Sequence, residues 1–360
     1  MSGPRDKAAV IRADGSLALG HGHVFRTLVL AEELAKRGWK VCYVSRDLAG
    51  APLSRIRDAG HDLVLLGADI DEGADAKKTA RATAETGATW VVVDRYATGE
   101  KAHALWRARG LKVLAIDDIC EHRFDVDILL NQNTDAEELP YVTREDTVSL
   151  LGPRYALVRE SYRKARPAAP RKIDRVKNVL LFMGGSDPND ATSKVLRALN
   201  GLGASLEVEV VLGAAYPHFD KLCALAGESP HRVEVHRDLP DLVGPMSRAD
   251  VAIAAGGSVV WELCCMGVPI LLWLVADNQC GNACWLANNG SVRILGDSRG
   301  IEKPGLERVL DECFGDLESL SALAKASWIM LDGYGSIHVV ETLLSKGRGL
   351  ANEVFSRHAR

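Results

Sequence analysis

The chain has 360 residues, 47% of them hydrophobic and 26% charged, with a net charge of −4. That length allows two domains with separate cores, and the composition is ordinary for a soluble globular protein. The small negative charge argues against nucleic acid as the main partner, and no apolar run reaches the length of a membrane span.

The first residues, Met1 to Lys7, are charged and lack a signal-peptide core, so a cytoplasmic protein is expected. The eight cysteines fall mostly inside apolar runs, as Cys42 and Cys120 do, and read as reduced thiols rather than a disulfide framework. Cys280 and Cys284 are four apart on a predicted helix, but no further Cys or His follows at metal-ligand spacing. Neither a metal nor a cofactor is expected.

In chain order, residues 8–13 predict a strand that ends at Arg12-Ala13-Asp14-Gly15. Gly20-His21-Gly22-His23 is a tight glycine-rich loop. A helix follows over residues 24–37, stopped by Gly38. Strands are predicted at 41–44, 62–66, 90–94 and 113–116, alternating with helices at 53–59, 76–86 and 101–109. Shorter strand candidates lie at 128–130 and 148–151. Arg95-Tyr96 and Asp117-Asp118 each sit just past the carboxyl end of a strand.

Residues 163–174, basic and carrying Pro167 and Pro170, read as the interdomain linker. A second alternating series begins with a strand at 178–183 that ends in Gly184-Gly185-Ser186-Asp187. Helices at 191–199 and 219–226 alternate with strands at 208–212 and 233–235. Val251 to Ala255 is a strand broken by Gly256 and Gly257. Ser258 is placed to cap a helix that runs to Met266 and stops at Gly267, and a strand follows at 268–272. Helices are predicted at 284–288, 306–314, 317–330 and 337–344, and residues 346–360 read as a tail. The expected domains are therefore 1–165 and 175–345.

Strands alternating with helices imply parallel βαβ units. A strand, two glycines and a helix start leave backbone N–H groups free for an anion. Glu262 lies one turn after Ser258 on the same face, where a carboxylate can accept two hydrogen bonds from ribose hydroxyls. The other reading of these residues is an ordinary strand, turn and helix with an exposed Glu. In doubly wound folds, ligands bind beyond the carboxyl ends of the strands. His23, residues 94–96, Asp117, Gly185, Ser186, residues 256–258 and Asn278 all follow strand ends, so a cleft between two Rossmann-like domains is expected to gather them.

Taken in order, several blocks resemble the nucleotide-sugar hydrolases of the pseudaminic-acid pathway. They are Arg12-Ala13-Asp14 with residues 20–26, Val93-Asp94-Arg95-Tyr96, residues 129–133 and residues 151–159. In the second half they are residues 183–187, Gly256-Gly257-Ser258 to Glu262, and Asn278-Gln279. The resemblance spans residues 10–344. It implies a GT-B type α/β fold, two Rossmann-like domains with parallel sheets facing an interdomain cleft. It also implies metal-free, inverting hydrolysis of UDP-2,4-diacetamido-2,4,6-trideoxy-β-L-altropyranose to UDP and free sugar.

The catalytic residues implied are His23 as the base that takes a proton from water, Tyr96 and Asn278. The expected substrate-binding set is Arg12, Asp14, Gly20, Gly22, Gly185, Ser186, Gly256, Gly257, Ser258, Glu262 and Gln279. Asn278 would orient the water or a sugar hydroxyl, and Tyr96 would donate to an acetamido group. Asp94 reads as a loop-fixing partner, and Asp117-Asp118 as a strand-end turn. Two departures stand out: relatives often have His where Arg95 stands, and His21 is an extra imidazole inside the glycine loop. The expected partner is a UDP-sugar, with no nucleic acid and no membrane span, and a monomer is expected. The rival reading is a glycosyltransferase on the same scaffold, since fold does not fix function.

Overall fold

A computed structural model describes residues 7–185, 187–214, 216–275, 279–297 and 303–348. The chain divides into two compact units, residues 1–157 with 334–360 and residues 158–333.

In the first unit the elements run β1 (Ala8–Ala13), α1 (Gly22–Lys36), β2 (Lys40–Arg46), α2 (Leu53–Asp58), β3 (Asp62–Leu66) and α3 (Glu72–Thr86). They continue with β4 (Trp90–Asp94), α4 (Glu100–Arg107), β5 (Lys112–Ile116), β6 (Arg123–Phe124), β7 (Ile128–Asn131), β8 (Val142–Thr143) and β9 (Val148–Leu151). The sheet order is β3-β2-β1-β4-β5-β7-β9, all parallel, with β6 and β8 paired separately. Helices cover both faces of such a sheet, so its central strands are mainly apolar, with Arg12 and Asp94 as buried charges near their carboxyl ends. Every residue of β1 and β4 is buried.

The second unit starts with α5 (Glu160–Ala165), β10 (Asn178–Phe182), α6 (Ala191–Leu199), β11 (Glu207–Leu212), α7 (Phe219–Gly227), β12 (Arg232–Arg237) and α8 (Val243–Arg248). It closes with β13 (Val251–Ala255), α9 (Val259–Met266), β14 (Ile270–Leu274), α10 (Cys280–Asn288), β15 (Arg293–Asp297), α11 (Lys303–Gly315) and α12 (Leu317–Met330). Its order is β12-β11-β10-β13-β14-β15, again all parallel.

Each sheet grows outward in one direction and then reverses. The reversal falls between β1 and β4 in the first unit and between β10 and β13 in the second. That switch point opens a crevice at the carboxyl ends of the strands, where doubly wound folds take ligands. The loops that follow β1, β4, β10 and β13 carry most of the residues singled out from the sequence, with Asp117 after β5 and Gln279 after β14.

Two expectations need correction. The final helix, α13 (Gly335–Arg348), was assigned to the second domain, but it closes the core of the first unit. Its Val339, Val340 and Leu343 pack with Leu30, Leu34 and Trp90. The backbone there is tight: a Cβ on Gly335 would stand 2.2 Å from the Ala156 carbonyl oxygen. Because α13 reaches Arg348, the start of the expected tail is helical, and residues 349–360 lie outside the described residues.

Residues 163–174, expected as a linker, form a strap over the second unit. Arg166 donates to the carbonyls of Cys265 (2.8 Å), Leu331 (2.6 Å) and Trp328 (2.5 Å), and its guanidinium stacks 4.2 Å from the Trp328 ring. Arg171 donates to the carbonyls of Met266, Ala249 and Met246. These are carbonyls at or just past the last turns of α8, α9 and α12, which have no partner within their own helices. Charged donors therefore replace water at three helix ends. Arg166→Ala should lower stability by roughly 1.5–3 kcal/mol, the range for hydrogen bonds to a charged group. A urea titration checks this; an unchanged midpoint would contradict the role given to the strap.

Candidate active site

The first unit builds its site from the end of β1. Gly20 has φ +76, and its carbonyl accepts the Ser16 N–H at 3.1 Å, closing a tight loop before α1. Helix α1 then starts at Gly22 with no acidic residue in its first turn. His23 stands in that turn. The register Ala13↔Asp94 brings the end of β4 beside it, and His23 Nδ1 lies 2.7 Å from Asp94 Oδ1. A carboxylate can only accept, so Nδ1 carries the proton, and Nε2 of the neutral ring keeps its lone pair.

Asp94 is itself clamped. Arg26, one turn after His23 on α1, donates through Nε to Oδ2 (2.6 Å) and through Nη2 to Oδ1 (2.7 Å). The other edge of the guanidinium donates to both oxygens of Asp118, at 2.9 and 2.8 Å. Burial alone would raise the pKa of Asp94, but the charge of Arg26 and the hydrogen bonds from Arg26 and His23 outweigh it and hold the carboxyl at about 2. The group is ionised at every working pH. Asp118 also accepts from Tyr96 Oη (2.9 Å) and Asn133 Nδ2 (3.0 Å). The Tyr96 ring stands edge-on to His23, with centroids 4.8 Å apart.

Several expectations change here. Tyr96 has a single phenolic proton, and it goes to Asp118; burial and that carboxylate push its pKa up. The tyrosine thus supports His23 rather than donating to an acetamido group in this arrangement. Arg12 and Asp14 are buried and bonded to each other at 2.6 and 2.9 Å, so they act as scaffold beneath the loop, not as an open contact surface. The ring of His21 reaches the Gly50 carbonyl at 2.9 Å and ties two loops together. Asp117 does form the strand-end turn, accepting from the N–H groups of Ile119 and Cys120 and from Tyr141 Oη. Asp118 instead belongs to the His23 network. Arg26, Asp118 and Asn133 were not expected; the available signal was Arg26, a charge interrupting an apolar helix stripe three residues after His23.

In the second unit, Gly184 has φ +92 after β10, a conformation that favours glycine. The next glycine is packed against the loop after β11: a Cβ on Gly213 would stand 2.0 Å from the Gly185 carbonyl oxygen. Asp190 caps α6 by accepting from Ser193 N–H, and Asp187 accepts from the N–H groups of Ala191 (2.9 Å) and Thr192 (2.8 Å). Ser186 and Asn278 lie outside the described residues.

After β13, Gly256 donates to Gln279 Oε1 at 3.3 Å, and Val275 N–H reaches the same oxygen at 3.1 Å. Gln279 therefore clasps two loops together through its side-chain oxygen. Gly257 and Ser258 are exposed. Ser258 occupies the position before α9 but makes no side-chain cap, contrary to expectation, so its hydroxyl is not committed to the helix.

Glu262 is partly buried on the otherwise buried α9. Burial pushes its carboxyl up to about 7, although the Arg159 charge and a hydrogen bond with Tyr162 pull the other way. Ligand-type side chains also gather away from the glycine turns. Glu209, Glu234 and His236 on β11 and β12 lie within 4.8 Å of one another, but Arg248 already donates to both oxygens of Glu209.

The geometry invites comparison with known proteins. No family model matches the chain. It is 24% identical over 288 residues to an uncharacterized protein of Methanocaldococcus jannaschii, covering 78% of this chain and 57% of that one. It is 28% identical over 194 residues to the spore coat polysaccharide biosynthesis protein SpsG of Bacillus subtilis, covering 53% and 57%. The chain thus spans little more than half the length of these two relatives. The resemblance read from the motifs is found as well. The chain is 24% identical over 289 residues to the UDP-2,4-diacetamido-2,4,6-trideoxy-beta-L-altropyranose hydrolase of Campylobacter jejuni, covering 78% of this chain and 96% of that enzyme.

Among solved structures, MurG of Acinetobacter baumannii superposes with a TM-score of 0.69 at 18% identity, covering 94% of this chain and 99% of that one. The calicheamicin glycosyltransferase CalG4 gives 0.61 at 16%, covering 96% and 99%. The fold is of GT-B type. No helix among the described residues is long and apolar enough to cross a membrane.

Glu262 gives a pH prediction. Its folded-state pKa is raised from 4.5 to about 7, so the folded chain holds this proton more tightly than the unfolded chain. The contribution is complete below the unfolded value and is lost as pH rises through the folded one. Glu262→Gln keeps the shape and removes that loss. Relative to the native chain, the variant should be more stable at pH 8 than at pH 5, measured by denaturant titration. The same difference at both pH values would contradict the raised pKa.

Proposed function

We propose that the chain is an enzyme that acts on a UDP-sugar, and that it hydrolyses the bond between the anomeric carbon and the diphosphate. The observation that carries this reading is the Arg26–Asp94–His23 chain. An ionised, immobile carboxylate orients an imidazole so that Nε2 is a ready proton acceptor, the same logic by which an Asp orients the His of a hydrolytic triad. Support comes from the likeness to the Campylobacter hydrolase along 96% of its length. The relative's own substrate, a UDP-linked diacetamido-trideoxy altrose, is the first sugar to test, with pseudaminic acid biosynthesis as the setting.

In the proposed step a water attacks the anomeric carbon from the side opposite UDP, and His23 Nε2 takes its proton. The C–O bond breaks, the electron pair leaves with the diphosphate, and the free sugar has inverted configuration. Asp94 stabilises the imidazolium as it forms and remains ionised. Tyr96, Asp118 and Asn133 hold the ring and its clamp in place.

The second unit is assigned the nucleotide. Glycine turns after β10 and β13, with Ser258 at the start of α9, offer backbone and hydroxyl donors for a diphosphate, and Glu262 is assigned the ribose. Ser186 and Asn278 keep the roles the resemblance implies for them. A glycosyltransferase is the second reading, favoured by the likeness to MurG and CalG4.

The test is turnover of the UDP-sugar in ¹⁸O-water without an acceptor, followed by NMR and mass spectrometry. The hydrolase reading predicts UDP release, label on the sugar carbon and inversion at early times. His23→Asn should slow turnover a hundredfold or more, the scale of general-base loss, with UDP affinity little changed. Label on phosphate would place attack at phosphorus and remove His23 as the base. UDP release only with an added acceptor would establish the transferase instead.

A further inference from the structure

A second charged cluster lies beside the His23 network, at the carboxyl ends of the neighbouring strands β2, β1 and β4. It contains Arg12 of β1, Asp14 just after it, Arg46 at the end of β2, Asp75 of α3 and Arg95 just after β4. Three guanidiniums face two carboxylates, which leaves one positive charge in excess.

The excess is not shared evenly. Arg12, fully buried, takes the best positions, at 2.6–2.9 Å from Asp14 and Asp75. Arg46 donates to Asp14 from its backbone N–H (2.9 Å) and from Nε (2.8 Å). Arg95 comes last. It is 11% exposed, its two ion pairs are long at 3.4 Å each, and its buried Nε has no hydrogen-bond acceptor among the described residues. A buried cation without full compensation is costly. Burial and the charge of Arg12 accordingly pull the pKa of Arg95 down.

We infer that Arg95 is the ligand-binding arm of this cluster and takes an anionic oxygen group, a phosphate or a carboxylate, of the substrate. The inference rests on the nucleotide-sugar reading above, and two sources of that chemistry follow: the diphosphate itself, or an acidic substituent on the sugar. Arg12, Asp14, Asp75 and Arg46 position the arm, while Asp94, the adjacent residue, holds His23. A bound anion would cancel the excess charge. The family resemblance does not supply this role, since relatives often have His at this position.

The experiment is calorimetric titration of the full chain and of Arg95→Gln with UDP, UDP-glucose and UDP-glucuronic acid, together with thermal melts with and without inorganic pyrophosphate. If the anion is the diphosphate, the variant binds UDP and UDP-glucose at least fivefold more weakly, and pyrophosphate stabilises only the native chain. If the anion is on the sugar, UDP binding holds, and a tenfold preference for UDP-glucuronic acid over UDP-glucose disappears in the variant. Without ligand, Arg95→Gln should melt at or above the native temperature, because it removes an excess buried charge.

The inference is overturned if all three ligands bind the variant as they bind the native chain, or if the unliganded variant melts markedly lower, as loss of a structural ion pair would require. Failure of the native chain to bind any of the three would sink the nucleotide-sugar reading separately. The pyrophosphate melts then decide Arg95 alone, with stabilisation that vanishes in the variant supporting it and no stabilisation of the native chain overturning it.

Discussion

The double fork of Arg26 is the constraint on which the first unit's site depends. One guanidinium holds Asp94 on one edge and Asp118 on the other, all within 2.6–2.9 Å. Asp94 in turn fixes the tautomer of His23, and Asp118 fixes Tyr96 and Asn133. Taking Arg26 away would leave the buried Asp94 with only the His23 imidazole to balance it and would remove the cation shared with Asp118. Breaking a buried pair in this way costs about 3–5 kcal/mol, which is a large fraction of a domain's net stability. The clamp is possible because parallel pairing of β1 and β4 places Asp94 opposite Ala13, one loop away from the start of α1.

Much of the fold was legible because its signals are local and periodic. Buried parallel strands such as Ala8–Ala13 and Val251–Ala255 are short apolar runs with turn residues after them, and the helices between them carry apolar stripes. Elements without such a signal were missed: the two-residue β6 and β8, and β15, whose Gly296 and Asp297 interrupt the apolar pattern. The place of α13 was not legible either. Its apolar face says that it packs, but which of two cores it packs on is set by the path of the chain from residue 330 onward.

The site divides along the same line. His23 and the glycine turns could be read because each is a local arrangement of residue types. Arg26 with Asp118 is 92 residues apart in sequence, and no spacing rule joins them. Arg12, Asp14 and Gln279 look like ligand contacts in a motif, yet they are held by internal hydrogen bonds. Residues close to a ligand and residues that support it share the same stretch of chain, and sequence alone does not separate them. Likewise Ser258 has the residue type of a cap but makes no cap hydrogen bond.

Asp94 sets the proton on Nδ1 of His23 and leaves Nε2 open. Long-range ¹H–¹⁵N NMR of the neutral ring tests it most directly, because the two tautomers give distinct cross-peak patterns. A protonated Nδ1 and an unprotonated Nε2 are expected in the native chain, with that preference lost in Asp94→Asn. A native ring with its proton on Nε2 would leave no lone pair for water at the open edge and would rule out His23 as the base.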